Sequence, residues 1–103
     1  MSLFPELSCG GNPPYHRIVE LYNEHCYRLL PVKGLTRSRR AAIRARWRQC
    51  PEWQDLDWWR GYFEYINSVN FLCGENDRGW VANFDFEIKE SKFIKIIKGH
   101  YER

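Results

Sequence analysis

No stretch of this 103-residue chain approaches the roughly 18 consecutive apolar residues that a membrane-crossing helix needs. The opening residues, MSLFPELSCGG, lack a basic start followed by an apolar run, so they do not read as a secretion signal. Cysteine is sparse and scattered. Cys9, Cys26, Cys50 and Cys73 form no C-x-x-C pair, which excludes a zinc knuckle and a dithiol redox motif. Without a secretion signal they are expected to be reduced thiols in a cytoplasmic protein. There is no G-x-S-x-G and no phosphate-cradling glycine loop. His16, His25 and His100 sit at no metal-ligand spacing. Asp77, Asp85 and Glu87 are the carboxylates that could in principle gather a metal ion, but turn capping and solubility are their simpler roles. The expectation is a protein that is not an enzyme, with no catalytic residues, no metal and no cofactor.

The chain is rich in rings. Aromatic residues make up 17 % of it, with five Trp, six Tyr and six Phe, so a single domain of this length can bury a real core. Residues 1–14 read as an N-terminal arm, rich in breakers at Gly10, Gly11, Pro13 and Pro14, with Leu3, Phe4 and Leu7 able to pack back. Residues 15–103 read as a helical domain. Tyr15, Ile18, Val19, Tyr22 and Cys26 share one helical face, predicting a first helix over residues 15–29, ended by Pro31. Thr36 is an N-cap for a second helix over residues 37–49, stopped by Pro51. A third helix follows Asp55, with Leu56, Trp59, Phe63 and Ile66 as its apolar stripe and Tyr62 beside it. Residues 73–79 are a polar loop. Beyond it, Trp80 and Phe84 are expected to be delivered to the core, before a short helical turn. Ser91 caps a last helix over residues 92–98, and Gly99 closes it. The predicted fold is all-α: a compact single domain of three main helices plus a short C-terminal helix.

Net charge is only +3, but it is segregated. Between Lys33 and Arg48 there are seven basic residues and no acidic one, so the rest of the chain sums to −4. At 100° per residue, Arg37, Arg40, Arg44 and Arg48 fall within an arc of about 80° on the second helix, beside an anchoring edge of Ile43 and Trp47. Arginine makes paired hydrogen bonds to phosphate and stacks on bases. Lys33 and these four arginines are therefore candidate nucleic-acid contacts. Such contacts fix position without reading sequence. Three occupants fit this face: a nucleic acid, a protein with an acidic groove, or plain solvent, with Glu52, Asp55, Asp57 or Glu64 able to pair with some of the arginines. Trp58 lies off the apolar stripe of its helix and is the ring most expected at the surface, where it could stack on a base.

Several segments carry a resemblance. Residues 58–66 (WWRGYFEYI), 68–74 (SVNFLCG), 79–86 (GWVANFDF) and 93–101 (FIKIIKGHY) occur in an order that resembles the C-terminal domain of phage and prophage replication proteins. Residues 35–47 (LTRSRRAAIRARW) and 18–24 (IVELYNE) resemble its earlier helices. The departures are Phe84-Asp85-Phe86 where the family has FDW, and Ile97-Lys98-Gly99 where it has LEG. The resemblance spans residues 15–101. It implies a replisome-organiser or helicase-loader type of module, located in the cytoplasm of a bacterial host. Its expected partners are DNA, single-stranded or non-specific, and the replicative helicase. In that family the domain usually follows a winged-helix part that finds the origin, and these 103 residues contain none. The expectation is thus a replication accessory module. The alternative is a stand-alone phage-encoded effector that binds and inhibits a host protein or nucleoprotein machine.

Overall fold

Local sequence signals set most of the helix ends in the computed structural model, which describes residues 12–102. Five α-helices appear among them: α1 (Tyr15–His25), α2 (Arg37–Gln49), α3 (Leu56–Ser68), α4 (Phe84–Ile88) and α5 (Glu90–Ile97). Single 3-10 turns lie at Pro51–Trp53 and Asn70–Leu72. The described residues hold no β-strand, only an isolated bridge between Cys73 and Val81. The architecture is all-α, as expected. The predicted arm falls outside the described residues except for Asn12, Pro13 and Pro14, as do Leu3, Phe4, Leu7 and Cys9.

Caps explain the boundaries. Thr36 Oγ1 accepts the Arg39 amide at 3.1 Å and starts α2. Asp55 accepts the Asp57 amide and starts α3. Asn83 accepts the Phe86 amide at 2.8 Å and starts α4. Two boundaries differ from expectation. Helix α1 stops at His25 rather than Leu29, because the following segment folds back along it. Asn23 captures Val32 through two hydrogen bonds, at 2.9 and 2.7 Å, and Tyr22 donates its hydroxyl to the Leu30 carbonyl. Helix α5 begins at Glu90, not Lys92. The single extended residue Lys89 ends α4 and starts α5, accepting the Phe93 amide at 2.8 Å, so Ser91 lies inside the first turn. Gly99 closes α5 as expected, at φ +75°, a left-handed conformation in which a Cβ would be strained.

Helices α1 and α3 pack against each other, α4 fills between α2 and α5, and the Pro51–Trp53 turn wedges against α2 and α3. Ile18, Tyr22, Ile43, Trp59, Phe63, Ile66, Phe84 and Phe93 are fully buried or nearly so. The rings meet edge-on or tilted: Tyr22 lies 5.6 Å from Phe63 and 5.0 Å from Phe84, and Phe93 lies 4.8 Å from both Trp53 and Tyr62. This is the arrangement that the charge distribution of aromatic rings favours. Trp80 is not delivered to the core. It remains 38 % exposed, held above Phe86 at the surface.

Candidate nucleic-acid interface

Helix α2 sets the candidate site. Ile43 is fully buried and Trp47 nearly so, and they fix the rotation of the helix. The seven basic residues between Lys33 and Arg48 then separate into groups with different fates. Arg39 points toward α4 and makes two bonds to Asp85, Nε to Oδ1 at 2.9 Å and Nη2 to Oδ2 at 3.1 Å, and its Nη1 also reaches the Gly34 carbonyl. The paired carboxylate raises the Arg39 pKa above its usual value. Arg46 is buried. Lys33, Arg37 and Arg48 are exposed, and Arg40 and Arg44 are half-buried.

Arg40 and Arg44 both stand against Tyr15, at the start of α1. The Arg40 guanidinium stands 5.2 Å from the Tyr15 ring centroid and that of Arg44 stands 6.0 Å from it. Arg44 Nε donates to the Tyr15 hydroxyl at 3.0 Å. A cation over a ring face is held by the electron-rich centre without being neutralised. Among the described residues, no carboxylate lies within ion-pair distance of Arg37, Arg40 or Arg44. Asp57 instead faces Arg60, and Glu64 faces His25. Periodicity marks Tyr15 only as part of the α1 apolar face. Its place just after Pro13 and Pro14, at the open end of that face, is the sequence signal for its role.

Trp58 is not the exposed ring that its off-stripe position predicts. It is half-buried, stacked on Tyr62 at 5.2 Å and 14°, and flanked by Trp53 and Phe93 at 5.7 and 5.6 Å. The off-stripe position on α3 is covered by the Pro51–Trp53 turn and by α5. Trp58 therefore belongs to the aromatic core edge, apart from the arginines of α2.

Asp77, Asp85 and Glu87 are not brought together. Asp77 is exposed, Asp85 holds Arg39, and Glu87 is fully buried. No group of three His, Cys, Asp or Glu side chains converges to hold a metal among the described residues. Cys26, Cys50 and Cys73 are free thiols. Burial pushes the Cys26 thiol far above its ordinary value. No helix of the described residues is long and apolar enough to cross a membrane.

Fold and surface together define a small all-α domain with one outward cationic helix face braced by a tyrosine. No protein-family model matches the chain, and no curated protein or solved structure matches it either.

Proposed function

We propose that this chain is a non-enzymatic accessory module of phage or prophage replication. It grips a nucleic acid, most simply DNA, by the phosphates along α2. The observation that carries this reading is the row of Arg37, Arg40 and Arg44, aligned outward with no carboxylate at ion-pair distance among the described residues and with two members braced on Tyr15. Lys33 and Arg48 are exposed and lie on either side of this row in the chain. The first turn of α2 holds Arg37, Arg39 and Arg40 and no acidic residue. Cations there oppose the helix dipole, at a cost of about 0.3–1 kcal/mol each. A helix shaped only for stability would place them at the other end. Contact with the replicative helicase belongs to the same reading and rests on the family resemblance.

The test is fluorescence anisotropy of a labelled oligonucleotide at low salt. Replacing both braced arginines, Arg40→Glu with Arg44→Glu, removes two phosphate contacts and adds two repulsive charges, so affinity should fall by more than about tenfold with the helical circular dichroism unchanged. Undiminished binding by the double variant overturns the assignment. If the wild-type chain instead recovers one stoichiometric host protein after nuclease treatment, the same face serves an acidic protein groove, as in the effector alternative.

A further inference from the structure

The polar loop after α3 is built to hold one tryptophan at the surface. Asn76 clasps it with four hydrogen bonds. Its Nδ2 donates to the carbonyls of Phe71 and Trp80 at 2.9 and 2.6 Å, and its Oδ1 accepts the amides of Arg78 and Trp80 at 3.1 and 2.9 Å. The Cys73–Val81 bridge closes the loop base, where a Cβ on Gly74 would meet Val81 at 3.3 Å. Trp80 is thereby fixed without being buried. Its ring stands edge-on above Phe86 at 4.9 Å and tilted to Phe71 at 6.2 Å, with Tyr101 behind both of these.

In front of the Phe71 and Trp80 rings lies an open hollow of about 230 Å³, edged by Asn76, Asp77 and Arg78. Its walls suit a flat apolar face. Its rim offers both an acceptor carboxylate and a donor guanidinium, the two kinds of group that the edge of a nucleobase meets. Lys92 Nζ lies 5.7 Å from the centroid of Phe86, the ring on which Trp80 stands edge-on. A rigid exposed ring, a mixed polar rim and a lysine beside the ring cluster form a combination that suits an unpaired base of a charged strand.

We propose that the Phe71–Trp80 hollow is a stacking site for an unpaired base, which makes the nucleic acid held by this domain single-stranded. This rests on the nucleic-acid reading of α2 and adds to it a site on another part of the surface, with Trp80 in the stacking role that helical spacing alone suggests for Trp58.

The experiment compares two probes on the full chain, a twenty-nucleotide oligo-dT and a twenty-base-pair duplex, by anisotropy at low salt. Trp80→Ala should weaken oligo-dT binding by about 5- to 100-fold, the range that one stacked base carries, and should leave the duplex within about twofold. Trp80→Phe keeps a ring and should recover most of the loss, which separates stacking from damage to the loop. The hollow is not a base site if Trp80→Ala changes both probes equally or neither, or if Trp80→Phe is as weak as Trp80→Ala with thermal unfolding unchanged. If that happens while Arg40→Glu with Arg44→Glu still abolishes binding, the stacking proposal falls and the α2 reading stands. If the arginine variant has no effect but Trp80→Ala selectively weakens oligo-dT, the reverse holds. A wild-type chain that binds neither probe overturns both.

Discussion

At the residue scale, the least expected group is a carboxylic acid without a partner. Glu87 is fully buried, and among the described residues neither of its side-chain oxygens has a hydrogen-bond partner. It lies among weak acids, Tyr22 and Cys26 from α1, Tyr62 from α3 and Cys73 from the loop, each of which its ionised form would push up. Arg46 from α2 acts on Tyr62 in the opposite sense. The Tyr62 hydroxyl donates to the backbone carbonyl of Glu87, not to its carboxyl. Burial therefore pushes the Glu87 carboxyl well above the ordinary carboxylate range, and the folded state holds its proton. Because the folded value is raised, this group's stabilising contribution is complete below the unfolded value of about 4.3 and is lost as pH rises through the folded value. Glu87→Gln cannot ionise. Its stability relative to wild type, from urea unfolding, should be at least about 1 kcal/mol more favourable at pH 8 than at pH 4, since each tenfold change in proton affinity between the unfolded and folded states is worth about 1.4 kcal/mol. Parallel pH profiles for the two proteins would show that the carboxyl is solvated or paired after all.

At the element scale, α2 shows how a helix can be well specified and still costly. Its charged first turn works against the dipole, so its start depends on the cap. Removing the Thr36 hydroxyl with Thr36→Ala leaves the Arg39 amide unpaired and should cost about 1 kcal/mol of unfolding free energy, with Thr36→Ser retaining most of it. Equal denaturation midpoints for Thr36→Ala and wild type would contradict this account of the cap. Helices α1 and α2 also differ in how legible their ends are in the sequence. The bounds of α2 can be read because a Thr cap and Pro51 bracket an alanine- and arginine-rich run, and both signals are local. The end of α1 cannot, because it depends on Asn23 reaching Val32, a contact nine residues away that no periodicity records. Trp58 and Trp80 exchange their expected places for a similar reason. Helical geometry puts Trp58 off the stripe of its own helix, but whether that position is covered depends on the Pro51–Trp53 turn and on Phe93 of α5. Trp80 follows a polar loop whose fold is set by the Asn76 clasp, and four bonds from one side chain leave no pattern in hydrophobicity. The candidate arginines are more legible in alignment than in environment. Their common arc, and the placing of Arg39 and Arg46 off it, follow from spacing alone, whereas the bracing by Tyr15 and the pairing of Arg39 with Asp85 come from tertiary packing.

At the scale of the whole molecule, the small net charge conceals an uneven internal neutralisation. The acidic body satisfies itself locally: Glu20 pairs with Arg17, Glu75 with Arg28, Asp57 with Arg60, and Glu24 and Glu64 flank His25. Among the described residues, Asp85 makes the ion pair that reaches back to α2, and it takes Arg39. Arg37, Arg40 and Arg44 are thus left to act together outward, while Asp57 faces Arg60 and Glu64 faces His25. A surface of this kind should bind with strong salt dependence, because each phosphate it neutralises releases condensed counterions. Three arginine–phosphate contacts give a log–log slope of affinity against salt of about −2 to −3, and Arg40→Ala with Arg44→Ala should reduce its magnitude by about 1.4 to 1.8. Alanine suits this measurement because it removes contacts without adding repulsion, so the change in slope counts phosphates and does not depend on absolute affinity. The Trp80 ring contributes stacking and no counterion release. Trp80→Ala should therefore shift the single-strand line downward while keeping its slope. If Trp80→Ala flattens the slope instead, the loop contributes charge contacts and the division of labour between α2 and the Trp80 platform is wrong.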